Sequence, residues 1–150
     1  MGTDPEPLGA DRVVLHASCV SVEDRAVLIT GASGTGKSAL ALTLMAFGAR
    51  LVSDDGTILS PSGEAVTVAP VPEISGLIEA RGVGLLKCPP PNPAQLQLVV
   101  DMNQVETARM PETREISFFG RAFRLLHKVE SPHFAPAILH YLKEKQGRVV

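Results

Sequence analysis

Short runs of apolar and β-branched residues, separated by glycine- and proline-rich breaks, set the rhythm of this chain. Residues 12–20 (RVVLHASCV) and 26–30 (AVLIT) read as strands, the second as an unbroken apolar run suited to a buried parallel strand. The pattern then changes to helix formers over residues 38–47 (SALALTLMAF), with Gly48 where such a helix would stop. Arg50–Ser53 predicts a further strand running into Asp54-Asp55-Gly56. Residues 57–60 and 65–68 predict two strands joined by a hairpin turn at Pro61-Ser62-Gly63. Residues 74–80 read as a helical turn and 82–86 as a strand, which the CPPPNP segment (88–93) terminates. Residues 96–100, 118–119 and 122–126 predict later strands, and 133–145 a closing helix with Pro136 in its first turn. Many strands with two or three helices predict an α/β fold with a mixed sheet, not a strict βα alternation.

Composition narrows the class. The chain has 150 residues, 45% hydrophobic and 20% charged, which suits one globular domain over residues 12–150 behind a polar, mobile tail of residues 1–11. A net charge of −2 gives no electrostatic reason to expect nucleic acid or a membrane surface as partner. No apolar stretch approaches the roughly 20 residues of a membrane-spanning helix, so a cytoplasmic protein is expected. Cys19 and Cys88 stand far apart and read as reduced, partly buried thiols.

The chemistry begins at residues 31–38, GASGTGKS, a full match to the phosphate-binding pattern G-x-x-x-x-G-K-[ST]. Gly31, Gly34 and Gly36 let the chain curl, so that the backbone N–H groups of the loop, through Ala32, Ser33 and Thr35, face an anion. Lys37 supplies an ammonium for the β and γ phosphates and Ser38 a hydroxyl for Mg²⁺. The following helix directs the positive end of its dipole at the same anion. ATP and Mg²⁺ are the expected ligands.

Three further places suggest chemistry. Asp54-Asp55 ends the strand after the loop helix, and strand ends in an α/β sheet converge on the ligand crevice. Mutual repulsion suits one of these carboxylates to accepting a proton; a solvated turn is the plain alternative. Glu79 and Arg81, in EARG, have the chemistry to ligate Mg²⁺ and to neutralise a transferring phosphoryl group, although such surface pairs are common. His16 interrupts an apolar run, where a structural histidine is the usual finding. His127, His133 and His140 show no ligand spacing, and Phe118, Phe119 and Tyr141 read as core or subunit contacts.

Taken together, His16-Ala17-Ser18, GASGTGKS, LVSDD (51–55) and GLIEARGVGLL (76–86) resemble the catalytic domain of the HPr kinase/phosphorylase family in order and spacing, over about residues 12–86. The resemblance implies a P-loop domain similar to the nucleotide domain of phosphoenolpyruvate carboxykinase. It implies an ATP-dependent kinase acting on a serine of HPr, a small phosphocarrier, or of its nitrogen-related paralogue, and a homo-oligomer, a hexamer in the family. Carried over by motif, Lys37 contacts phosphates, Ser38 and Glu79 bind Mg²⁺, and Asp55 exchanges the serine proton in the kinase and the reverse, phosphorylase direction. His16 lies beside that aspartate, Asp54 supports it or the metal, and Arg81 belongs to the signature. The chain departs from the family at Ala39, where Glu is frequent, and in E-A-R-G for E-I-R-G; a separate N-terminal domain is expected to be missing. Among Arg114, Arg121 and Arg124, the family's late arginine is assigned to Arg121. The rival readings are a small-molecule kinase and a nucleotide-dependent switch.

Overall fold

The computed structural model describes residues 6–7 and 11–144. Its elements are β1 (Glu6–Pro7), β2 (Val13–Leu15), β3 (Ala17–Val22), β4 (Arg25–Thr30), α1 (Lys37–Ala46), β5 (Arg50–Ser53), β6 (Thr57–Ser62) and β7 (Ala65–Pro70). There follow a 3₁₀ turn (Pro72–Ile74), β8 (Leu77–Ala80), β9 (Gly84–Lys87), β10 (Ala94–Val105), β11 (Arg114–Phe118), β12 (Arg121–Lys128) and α2 (Phe134–Lys143). Ten strands make one mixed sheet in the order β1-β2-β6-β7-β10-β4-β3-β5, with β12 also pairing β10, and β11 pairing β12. β8 and β9 form a separate hairpin.

The apolar run of β4 is explained by cover on both faces. Val27 and Ile29 enter one core with Ala41 and Leu44 of α1 and Phe134, Ile138 and Leu142 of α2. Ala26 and Leu28 enter the other with Leu15, Cys19, Leu59, Val66 and Phe118. Phe134, Ile138 and Leu142 recur every four residues, so α2 lays one stripe on the sheet. Each fully buried aliphatic of this kind contributes about 1.5–3 kcal/mol relative to exposure.

Several expected boundaries shift. The first strand is divided at His16: β2 pairs β6, whereas β3 pairs β4 and β5, so the chain changes partners there. Residues 74–80 hold no helical turn beyond Ile74. Gly76, at φ 79°, breaks the backbone, and Ile78 and Ala80 are buried while Glu79 is exposed, a strand's two-residue period. The first hairpin turns at Gly63, with Pro61 inside β6. Pro61 is tolerated because β2 pairs only Thr57–Leu59 of β6, leaving Pro61 on an edge. β10 extends well past the apolar residues 96–100, because pairing to β12 carries it through the polar Asp101 and Asn103. The strand expected at 118–119 is only the end of β11 (Arg114–Phe118), Phe119 standing at φ 54° in the turn; the remaining strands and both helices lie where the sequence puts them, within a few residues. Of the expected tail, Glu6–Pro7 pairs β2; residues 1–5, 8–10 and Lys145 lie outside the described residues.

Both cysteines are free, Cys19 buried in β3 and Cys88 half-buried. Burial pushes the Cys19 thiol far up; burial, and secondarily the charge of Asp54, raise Cys88. In the native protein a thiol reagent should therefore modify Cys88 slowly and Cys19 only after unfolding; rapid modification of Cys19 would contradict this packing. Ile138→Ala should cost about 2–5 kcal/mol in a denaturant titration, since the cavity lies between α2 and a sheet that cannot collapse onto it.

Candidate active site

The site follows from strand direction. β10 is parallel to both β4 and β12, and β5 is antiparallel to β3, itself antiparallel to β4. The carboxyl ends of β4, β5, β10 and β12 therefore meet at one edge of the sheet, bringing together Thr30, Ser53, Asp101 and Lys128. This is where an open α/β sheet binds its ligand.

At that edge β4 runs into the glycine loop. Gly31, Gly34 and Gly36 have φ of 143°, 86° and 99°, conformations that L side chains rarely adopt. Gly31 is also confined: a Cβ there would lie 2.7 Å from Thr35 Oγ1 and 3.0 Å from Met102 Cβ. The Thr35 hydroxyl donates to Ala32 O at 2.7 Å, and Ala32 N donates to Asn103 Oδ1 at 2.9 Å, which ties the loop to β10. Lys37 is buried and its Nζ donates to Gly31 O (2.8 Å) and Ala32 O (3.2 Å), so the ammonium lies folded over the loop. α1 begins at this lysine with no acidic residue in its first turn, leaving its positive end facing the loop.

Asp54 links the loop to the strand beyond it. Its Oδ1 accepts from Ser38 Oγ and from Ser18 Oγ, both at 2.7 Å, and its Oδ2 accepts from the Glu79 backbone N–H at 3.2 Å. The side chain is buried, and a buried carboxylate is tolerated only with such donors. Asp55 faces the other way: it is exposed, at φ 61°. The left-handed backbone there costs of order 1 kcal/mol for an L residue, and Ser53 Oγ donates to Gly56 O across the same turn. One turn thus carries a carboxylate locked against Ser38 and a second that is open to an incoming group.

Magnesium fits this donor set. Among the described residues no group of three or more His, Cys, Asp or Glu converges, and Mg²⁺ prefers one or two carboxylates, phosphate oxygens and water to a protein cage. Ser38 with Asp54 supplies a hydroxyl and a carboxylate 2.7 Å apart, and the backbone of Glu79 reaches the same aspartate. Arg81 is exposed in the turn between β8 and β9. His16 sits at the partner change before β3, two residues from Ser18.

Arg121 is not brought to this edge. Its Nη1 donates to Phe119 O at 2.6 Å and its Nη2 to Gly63 O. It opens β12, while His127 near that strand's end pairs with Asp101. Six residues of strand put the two ends roughly 20 Å apart. The basic residue that β12 delivers instead is Lys128, whose Nζ donates to Thr35 O at 3.1 Å. Lys128, Ser18 and Asn103 were not singled out as functional in the sequence. A parallel register between strands distant in sequence leaves no local signature, although the HAS triplet already contained Ser18.

Beside the loop, a cleft of about 300 Å³ is lined by Gly36, Ala39, Leu40, Thr43, Met102 and Lys128, among others. A larger cavity of about 500 Å³, lined by Glu64, Gln95, Arg124 and Tyr141, opens at the opposite sheet edge, away from the loop.

Comparison with known proteins identifies the family and the fold. The HPr kinase/phosphorylases of Stenotrophomonas maltophilia and Xanthomonas campestris pv. campestris are each 42% identical over 78 residues. Those matches cover 51% of this chain and 25% of each relative, so the chain spans about a quarter of the length of the curated relatives it matches. The solved Hpr(Ser) kinase/phosphatase of Coxiella burnetii shares the fold, with a TM-score of 0.69 at 22% identity over 89% of this chain and 95% of that one. The model of the HPr Serine kinase C-terminal domain matches residues 9–113, and this chain belongs to that family.

Proposed function

We propose that this chain transfers the γ-phosphoryl group of ATP to a serine hydroxyl of HPr or of its nitrogen-related paralogue, with the reverse, phosphorylase reaction at the same site. The carrying observation is the divided aspartate pair: Asp54 held against Ser38, Asp55 open to the surface beside it. Lys37 and the loop amides hold the phosphates. Ser38, Asp54 and Glu79 would hold Mg²⁺, which when bound neutralises charge on the phosphate oxygens. Asp55 accepts the serine proton as the serine oxygen bonds to the γ-phosphorus and the bond to the bridging oxygen of ADP breaks. His16, between β2 and β3 and two residues before Ser18, would stand beside this pair, as the family resemblance implies. Arg81, exposed in the same hairpin as Glu79, would neutralise charge on the transferring group.

A protein acceptor is favoured over a small molecule by the hairpin next to Asp54. β8 carries Glu79, whose N–H bonds Asp54, and the same hairpin exposes Val83 (77%), Leu85 (68%) and Leu86 (37%). Apolar side chains presented beside an open carboxylate suit a partner's surface better than a closed substrate pocket. The family resemblance further supports a cytoplasmic homo-oligomer. Among the described residues no helix is long and apolar enough to cross a membrane.

Four substitutions test the assignment, with phosphate transfer from radiolabelled ATP to purified HPr as the assay. Lys37→Ala should abolish transfer and weaken ATP binding. Asp55→Asn should keep ATP bound and reduce transfer by about 10²–10⁴-fold, the usual range for a lost general base; near-normal labelling would remove Asp55 from the role. The pair Val83→Asp and Leu85→Asp should raise KM for HPr while ATP affinity stays at the parent value. An unchanged KM would place the acceptor surface elsewhere.

A further inference from the structure

Two lysines, not one, converge on the phosphate loop. Lys37 belongs to the loop motif; Lys128 arrives from β12 on the far side of β10, with its backbone carbonyl held by Glu106 N–H at 2.8 Å. Its Nζ donates to Thr35 O at 3.1 Å, and a Cβ built on Gly36 would stand 4.0 Å from it. Among the described residues no carboxylate is within ion-pair distance of either lysine. Both ammonium groups therefore lie at the positive end of α1 with no ion pair to either among the described residues, an arrangement that an anion in the loop would stabilise.

The order of strands says which part of that anion each group meets. β5, with Asp54 and Asp55, lies on one side of β4; β10 and β12, with Lys128, lie on the other. The metal-binding and proton-accepting groups stand on the first flank. The second flank holds the cleft lined by Ala39, Thr43 and Met102, and Lys128 lies between that cleft and Thr35. The cleft is mostly apolar, and the hydroxyl of Thr43 is already given to Ala39 O. A triphosphate with its terminal phosphorus at Asp55 must run across the loop towards Lys128, leaving its nucleoside at the cleft.

We propose that Lys128 is a second donor-binding cation, contacting the α and β phosphates at the nucleoside end of the triphosphate. The assignment rests on the proposed ATP site. In the free protein the ammonium props the loop through Thr35 O; with donor bound it turns to the phosphates beside that carbonyl. Because α and β phosphates are common to substrate and product, the contact tightens binding of both ATP and ADP and contributes little to the chemical step.

Calorimetric titration of the whole chain with Mg-ATP and with Mg-ADP tests this, using the parent, Lys128→Met and Lys128→Arg. Lys128→Met keeps the apolar stem and should weaken ATP and ADP alike by about tenfold, in line with a lost hydrogen bond to a charged group. Lys128→Arg should recover most of that affinity, and without nucleotide the thermal midpoint of Lys128→Met should fall by only a few degrees, from loss of the bond to Thr35 O. Equal affinities for parent and Lys128→Met would make Lys128 a loop prop only. A loss for ATP without one for ADP would place the ammonium at the terminal phosphate. A larger fall in the midpoint of Lys128→Met without rescue of affinity by Lys128→Arg would reduce the residue to a structural role. If the parent bound neither nucleotide, the ATP site itself would fall, a result distinct from each of these.

Discussion

A buried carboxylate with three donors holds this site together. Asp54 accepts hydrogen bonds from the hydroxyls of Ser18 on β3 and Ser38 at the start of α1, and from the backbone N–H of Glu79 on β8. Removing an ionised carboxyl group from water costs several kcal/mol unless its lone pairs are met, so each donor element is constrained to keep its place. One side chain thereby fixes the loop helix, the neighbouring strand and the separate hairpin relative to one another. The fixing of Asp54 also exposes Asp55. A strand that turned its first aspartate inward, then stepped through a left-handed residue, leaves the second facing outward.

The other constraint is the long central strand β10. It pairs β4 on one side, and on the other it pairs β7 at its start and β12 for most of its length. Parallel pairing of three strands brings three carboxyl ends to the same edge, and the loop is then tied to β10 by Asn103 and to β12 by Lys128. The positive charge collected there meets few acidic groups, while the acidic pair occupies the opposite flank of the same loop. In the function proposed above, a polyphosphate lying across the loop would have cations along its length and a proton acceptor at its end. Phosphoryl transfer asks mainly for such alignment and charge compensation.

The β8–β9 hairpin contrasts with the rest. Its buried residues Ile78 and Ala80 anchor one strand, while every residue of β9 is exposed. It therefore joins a rigid anchor at Asp54 to an apolar surface. In the proposed function, an acceptor docked on the hairpin would be positioned by the same hydrogen bonds that position the loop.

Local signals explain what could be read early. The glycine loop is visible as a motif because its backbone needs positive φ at fixed positions, and β4 because an apolar run marks cover on both faces. The DD and EARG segments were legible as candidates by residue type and order. The division of roles between Asp54 and Asp55 came only from the family resemblance; residue type does not separate them, since burial of one depends on Ser18, Ser38 and Glu79 closing around it. Residues 74–80 misled for a related reason: apolar residues there satisfy a helical reading, but Gly76 and the pairing with β9 impose a strand. The late basic residue is the plainest case. Sequence offered several arginines in the right region and favoured Arg121, yet strand direction sends Arg121 to the far edge and Lys128 to the loop. By itself the sequence determined the anion loop, the α/β class and the reactive groups available, because these follow from backbone freedom and hydrophobic period. Only the tertiary structure decided which groups meet, because register and direction between strands distant in the chain arise from long-range pairing that no local pattern encodes.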